Sequence, residues 1–512
     1  MLSFYVLLSI LSFGHASVIN PIQVPLYTDQ PSNQALKPRG RFLHITDMHP
    51  DPHYLPHTSK RQFCHREKKS GGSDYYGSPY SDCDSPLRLI NFTLDYLESN
   101  WAPDIDFVIW TGDNARHDSD QTIPRTQAEI KGMNEAVAKK MKDIFLDRGI
   151  PVVPSIGNND IWPHNIMKPG PNEITDAFSG IWKVFIPKQE QEAFRLGGYF
   201  STEVIPDELA VISLNTIYFY DSNDAVGGCP YHEHKDPGNL EFNWLEVRLR
   251  HYRDRGMQVW LTGHVPPSPG NYYLECYTRY VDLSLRYQDT ILGHLFGHMN
   301  VDYFSFLEVT DLEIVSTEAR EAKQVAFKHD DLYDTLLEEF STLPESSDIN
   351  LDDYAVINVS PSVVPNPYVP TFRIFSYNVS ESQTGRGIKR NHGRRRGRIG
   401  DKESECVKTE WQSSWKCHLN GTWYSDGGSP SRVNQRLTPL GYAQYYVQHL
   451  EEADEQKEPE FELEYDTQGM YGMVDLTIGS WAVLGRELGQ GSRRLRRAFR
   501  RHMYVGVGDR GR

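Results

Sequence analysis

The sequence predicts a layered α/β fold, in which alternating strands and helices enclose a mostly buried sheet core. Two observations carry that reading. Short apolar runs recur along the chain, and each stops at a polar cluster holding Asp, Asn or His: residues 41–47, 106–113, 151–158, 209–215, 258–264 and 294–298. Runs bounded in this way read as buried strands. Between them lie stretches of helical character at 86–100, 126–148 and 239–255. In such folds ligands collect at the C-terminal ends of strands. Further along, 318–350 reads as an acidic helical segment, and Tyr354–Val359, Thr371–Tyr377 and the alternating 461–465 read as further strands.

Composition narrows the class. A chain of 512 residues can bury a large core, and its aromatic content argues against disorder, collagen or a coiled coil. No stretch reaches the roughly 20 apolar residues of a membrane span, which excludes a polytopic membrane protein. The net charge of −16 argues against general nucleic-acid binding. The first sixteen residues form a short apolar run ending in small residues, which reads as a secretory signal cut after Ala16 or as a short signal-anchor. Sequons at Asn91, Asn358, Asn378 and Asn420 fit that route. Six cysteines without a Cys-x-x-Cys favour disulfides over a zinc knuckle. Proximity pairs Cys64 with Cys83 and Cys406 with Cys417, leaving Cys229 for Cys276, although sequence leaves the connectivity open.

Five strand ends carry the chemistry: Asp47 and His49; Asp113, with His117 four residues on; Asn158, Asn159 and Asp160; His264; and His298 with Asn300. Singly each has a plain structural reading, as a helix cap, a turn or a structural imidazole. Together and in this order they read as the ligands of a shared metal site. A carboxylate bridging two cations, with neutral imidazoles around it, is the donor set of a dinuclear hydrolytic centre.

This ordered set resembles the calcineurin-like metallophosphoesterases over residues 41–303, and the His after the second-strand Asp is shared with the acid sphingomyelinase-like branch. Residues 44–54, 157–160 and 296–300 are similar in wording to the fungal vacuolar endopolyphosphatases, as are Cys64-His-Arg and 81–86. The resemblance implies a β-sandwich flanked by helices and two divalent metal ions, drawn from Mn, Mg, Co, Zn or Fe. It implies Asp47 and His49 on the first metal, Asp113 bridging, and Asn158, His264 and His298 on the second. Asn300 stands where the wider family has a His on the first metal, and Asn159 where it has a His beside the ligand Asn. His117 then takes the proton-donor role. The implied activity is hydrolysis of internal phosphoanhydride bonds of inorganic polyphosphate by a hydroxide held between the metals. The implied setting is a vacuole, lumen-facing and reached by the secretory route, with attachment through the N-terminus and processing by vacuolar proteases. On this reading the chain divides into a signal or anchor (1–16), a Pro-rich spacer (17–40) and the catalytic domain (41–380). There follow a basic disordered insert (381–405), a strand and helix extension (406–490) and a basic tail (491–512).

An acidic chain must recognise polyphosphate through a local basic patch. Candidates are Lys60, Arg61, His65, Arg66, Lys68 and Lys69, with Arg116 beside the bridging Asp and Asn159 beside the ligand Asn. The 60–69 group also reads as an ordinary solvated loop. The basic runs at 386–398 and 493–501 are further polyanion candidates. Proteolytic exposure is the competing reading of the insert, and contact with lipid headgroups that of the tail. Two rival functions stand beside the main one. A lipid or nucleotide phosphodiesterase would be expected to carry an apolar docking module ahead of residue 41. A non-catalytic polyphosphate binder is motivated by Asn159 and Asn300, and disfavoured by the other ligands.

Overall fold

Branched and aromatic side chains dominate the apolar runs and favour extended backbone. In the computed structural model, which describes residues 39–67, 72–314, 331–380, 393, 406–409 and 411–506, these runs form two six-stranded sheets. The first runs in the order β14 (Glu462–Asp466), β13 (Pro439–Tyr446), β12 (Thr371–Tyr377), β1 (Gly40–Ile45), β4 (Phe107–Trp110) and β5 (Val152–Pro154). The second runs β10 (Tyr303–Glu308), β11 (Tyr354–Val359), β9 (Ile291–Phe296), β8 (Gln258–Thr262), β7 (Leu209–Ser213) and β6 (Phe200–Ile205). A short ladder joins β2 (Pro50–Asp51) to β3 (Ser85–Pro86).

Strands β1, β4 and β5 are mutually parallel, as are β7, β8, β9 and β11. Parallel neighbours need crossovers, and helices supply them at Leu87–Asn100, Gln127–Ile144, Pro237–Asp254 and Leu274–Arg286. The second of these starts where the Thr126 side chain accepts from the Glu129 amide. The third starts at Asp236, followed by a proline in the first turn. Parallelism brings the polar strand ends of both sheets to one edge.

The sheets face each other across an aromatic layer. Phe42 of β1 lies 4.8 Å from Phe375 of β12 and 5.4 Å from Trp260 of β8, centroid to centroid. At the edge that carries the polar ends, Ser155 Oγ lies 2.9 Å from Ser213 Oγ and links β5 to β7. A buried guanidinium makes a second link. Arg373 of β12 is fully buried, donates to Val359 O of β11 at 2.9 Å and to Gln444 Oε1 of β13 at 2.8 Å, and pairs with Asp302.

Disulfides join Cys64 to Cys83, Cys229 to Cys276 and Cys406 to Cys417, the pairs that proximity suggests. Of the sequons, Asn91 and Asn420 are exposed. Asn378 is half-buried and bonded to Asn434 at 2.8 Å. Asn358 is a correction: it lies buried in β11, flanked by β10 and β9, where a glycan has no room. The segment expected to be helical at 318–350 forms one helix, Leu332–Ser341, its earlier part lying outside the described residues. The 1–16 segment, nearly all of the spacer and, Gly393 apart, the basic insert also lie outside them. The basic run at 493–501 belongs to the helix Arg493–Met503, which buries Phe499, His502 and Met503 and so packs on the fold. No helix among the described residues is long and apolar enough to cross a membrane.

Removing one partner of a buried ion pair leaves an uncompensated charge and costs about 3–5 kcal/mol. Asp302→Asn should therefore lower the unfolding free energy by about that amount in denaturant titration. A change below about 1 kcal/mol would show that Arg373 finds equivalent partners without Asp302.

Candidate metal centre

The strand ends converge on two buried carboxylates. Asp47 follows β1 and Asp113 follows β4, and each is about 1 % exposed. Their loops are tight: Asp47, His49, Asp113, His298 and Asn300 all have φ between 40° and 72°. Small neighbours make room for them. A Cβ on Gly157 would lie 2.0 Å from Asp113 Oδ1, and one on Gly297 2.4 Å from Asp47 Oδ2, so neither position admits a larger residue.

One set of donors gathers around Asp47. Its Oδ2 accepts from Thr46 Oγ1 at 2.6 Å and from the His298 amide at 2.9 Å. Its Oδ1 has no hydrogen-bond partner. His49 Nε2 also has none and stands 3.6 Å from Asp47 Oδ1 and 3.4 Å from Asp113 Oδ2. His49 Nδ1 donates to Ala115 O at 2.9 Å, which orients the ring so that Nε2 faces the carboxylates and, once its proton is displaced, offers the lone pair. Asn300 follows two residues after His298. Its Nδ2 donates to Asn366 O at 2.9 Å, and its Oδ1 is buried without a partner. Asp47 Oδ1 and His49 Nε2, buried, unpartnered and 3.6 Å apart, are donor atoms that a cation would satisfy, and Asn300 Oδ1 is a further buried, unpartnered oxygen on the His298 loop.

The second set lies on the other side of Asp113. Asn158 Oδ1 is 2.9 Å from both His264 Nε2 and His298 Nδ1, and His264 Nε2 is 3.1 Å from Asp113 Oδ2. His264 Nδ1 donates to Thr111 O at 2.7 Å, so this ring is oriented in the same way. The Asn158 amide is oriented by its other end. Nδ2 donates to His164 Nε2 at 3.0 Å and to Asn165 Oδ1 at 2.9 Å, which turns Oδ1 toward the imidazoles.

Charge explains how two carboxylates tolerate burial. Burial alone would raise Asp113, but the His264 and His49 imidazoles and the Asn159 amide hold it well below the usual carboxylate range. Asp47 is likewise lowered against its burial by His264 and His49. In return, burial would lower His49 and His264, yet the Asp113 charge lifts each to about 9. His298, buried and next to His264, falls to about 3 and stays neutral.

The profile of the calcineurin-like phosphoesterases matches residues 40–302, just over half of the chain. The chain belongs to that family. An Endopolyphosphatase from Cryptococcus neoformans is 39 % identical over 91 % of this chain and 84 % of its own length. One from Schizosaccharomyces pombe is 35 % identical over 88 % and 83 %. A dimetal phosphatase from Danio rerio superposes with a TM-score of 0.35 at 8 % identity, over 67 % of this chain and 96 % of that one, too distant to carry an argument.

In this phosphoesterase Asp47, His49 and Asp113 lie together, as do Asp113, His264 and His298 with Asn158, while Asn300 follows two residues after His298. Other expectations are corrected. Arg116 does not face the site: it is 2 % exposed, with Nε on Glu129 Oε1 at 2.5 Å and Nη2 on Ile123 O at 2.7 Å. Asn159, expected to touch substrate, instead grips Asp113 through its amide N at 2.8 Å and its Nδ2 at 2.9 Å. Lys60 pairs with Asp74 at 2.9 Å and Arg66 with Asp120, so both are matched by carboxylates. His65 is buried between Asp51 and Asp120, 2.7 Å from each. Arg61 is exposed, and Lys68 and Lys69 lie outside the described residues.

Sequence reasoning gave no role to Asp84, Asp160 or His164. Asp84 Oδ1 is 2.7 Å from His117 Nδ1 and its Oδ2 accepts from the His117 amide at 2.7 Å, while the His117 ring stacks on His49 at 3.9 Å. Burial would raise Asp84, but His117 holds it near 2, so it stays ionised. Asp160 braces the loops by accepting from the amides of Asp113, Asn114 and Gly157 at 2.6–2.9 Å. Asp84 lies in the 81–86 segment and Asp160 in the 157–160 motif that carry the resemblance, while nothing in the sequence marks His164.

The raised imidazoles set a pH dependence. In the metal-free protein the imidazolium–carboxylate attraction stabilises the fold fully below about pH 6.5 and is lost as pH rises through about 9. A cation must displace those protons, so its affinity should rise across that window. Titration calorimetry with Mn²⁺ at pH 7, in two buffers of different ionisation enthalpy, should report release of up to two protons. Buffer-independent heats would contradict this charge assignment.

Proposed function

We propose that this phosphoesterase is a metal-dependent endopolyphosphatase that hydrolyses internal phosphoanhydride bonds of inorganic polyphosphate to shorter chains. One observation carries the reading: two groups of His and Asp donors that could each hold a cation share Asp113, in a chain that aligns over more than four-fifths of the length of relatives named Endopolyphosphatase. Asp47, His49 and Asn300 would hold one divalent ion, Asn158, His264 and His298 the other, with Asp113 shared. Bound divalent cations supply charge neutralisation on phosphoryl oxygens and acidify the attacking water. Mn, Mg, Co, Zn and Fe all suit an imidazole, carboxylate and amide donor set without thiolate.

The chain's own residues supply the rest. Asn159 and Asp160 hold the Asp113 loop in place, and Gly157 lets the two loops touch. His164 and Asn165 present the Asn158 oxygen rather than its amide hydrogens. His117, with Nδ1 engaged by Asp84, has Nε2 left to give a proton to the departing phosphate. We also place the protein in the secretory route and a vacuolar lumen. Three disulfides and the exposed sequons Asn91 and Asn420 support that setting. Attachment through the N-terminal apolar run and cutting by vacuolar proteases at the basic insert belong to the same proposal.

The test uses purified protein, long-chain polyphosphate and Mn, Mg, Co or Zn, with chain length followed on a gel. Rapid shortening to mid-length chains, abolished by chelator and by Asp113→Asn, is the expected result. His117→Ala should cost about 10²–10⁴-fold in kcat, and Asp84→Asn, acting through His117, about 10–100-fold. Wild-type turnover in Asp113→Asn would sink the two-cation reading. Intact polyphosphate alongside a cleaved phosphodiester would make the protein a sphingomyelinase-like phosphodiesterase instead.

A further inference from the structure

The helix Arg493–Met503 carries six arginines, at 493, 494, 496, 497, 500 and 501. Three have partners. Arg496 Nε donates to Leu488 O at 2.6 Å, Arg500 lies over the Tyr333 ring, 3.8 Å from Asp331, and Arg501 hydrogen-bonds Tyr446. Arg493, Arg494, Arg497 and Arg501 are exposed, and among the described residues no carboxylate lies within ion-pair distance of them. They stand three and four residues apart on one outward face, where like charges repel. Arg493 and Arg494 also occupy the first turn, where the helix dipole disfavours cations. Among the described residues no carboxylate pairs with these four, in a protein of net charge −16.

The C-terminal end of the helix is fastened beside the loop that carries Asn300. The Met503 carbonyl accepts from the Asp302 amide at 2.9 Å, two residues beyond Asn300. Tyr504 packs on Tyr368, 5.6 Å between centroids, and the neighbouring Asn366 carbonyl is the one that holds Asn300. The outward arginines therefore extend away from the first donor set on an element that spans about 16 Å at 1.5 Å per residue.

We propose that this arginine face is an extended binding track for a linear polyanion, holding phosphates of the substrate chain several units from the scissile bond. The inference rests on the endopolyphosphatase reading and deepens it. Guanidiniums match phosphate oxygens in any register, so the track binds the chain without selecting a position along it. A grip remote from the cut favours substrates that reach both places, and so favours internal over terminal cleavage.

The test is the quadruple variant Arg493→Gln, Arg494→Gln, Arg497→Gln, Arg501→Gln in the full chain loaded with metal, beside its Lys counterpart. The kcat/KM on long-chain polyphosphate, divided by that on tripolyphosphate, should fall at least tenfold in the Gln variant. The slope of log(kcat/KM) against log[KCl] should become shallower by about three. The Lys variant should keep most of the slope. An unchanged ratio and slope in the Gln variant would overturn the track. If the wild type cleaves no polyphosphate, the enzymatic reading fails by itself, and fluorescence anisotropy of labelled long-chain polyphosphate on the same proteins decides the track. Equal anisotropy affinities for wild type and Gln variant would overturn it. Arginine-dependent binding to phosphatidylserine vesicles with unaltered polyphosphate affinity would assign the face to membranes instead.

Discussion

Two carboxylates, Asp47 and Asp113, lie side by side in the interior at one edge of a β-sandwich, and much of the surrounding structure serves to make that tolerable. Isolated buried charge is prohibitively costly, so each carboxylate needs imidazoles, amides or cations close by. His49 and His264 answer with raised basicity, and Asn159 with two hydrogen bonds to Asp113. These groups come from loops on both sheets. The centre therefore exists only while the sheets hold their relative position, which explains the polar links close to it. Ser155 meets Ser213 across the gap, and Arg373 reaches from β12 to the β11 backbone while gripping Asp302 beside the Asn300 loop.

Much of this was legible because the fold writes its ligands at the ends of apolar strands. Asp47, Asp113, Asn158, His264 and His298 each follow a run whose own pattern announces a strand, and the family resemblance assigns them as ligand candidates. What escaped was whatever depends on contacts between distant segments. Arg116 sits two residues before a polar loop and three after Asp113, which suggests the site, yet only the tertiary structure reveals that Glu129 from the next helix captures it. Asp84 is 33 residues from His117, and nothing local marks the pairing. Asn358 shows the reverse error. Its sequon is intact, but the strand carrying it is covered on both edges and buried. The C-terminal arginines read as a basic tail open to polyanions or lipid headgroups, while Phe499, His502 and Met503 supply the spaced anchors that dock the helix.

The two donor sets are not equivalent. The first contains the amide of Asn300 where an imidazole would bind more firmly, and its oxygen is a harder ligand than nitrogen. The second has two imidazoles around an amide whose orientation is enforced from behind by His164 and Asn165. Unequal donor sets of this kind would bind cations with unequal affinity.

Five of the seven ligand candidates sit in left-handed backbone, a conformation that non-glycine residues adopt reluctantly. The fold around them must supply the energy that keeps those loops coiled. This places activity and robustness in opposition within a few loops. Under laboratory evolution for heat resistance, the easiest gains would come from relaxing these turns, with glycine or with a longer and looser connection. Each such gain would scatter the donor atoms. A lineage selected for durability alone would drift toward a sturdy sandwich with nothing at its edge.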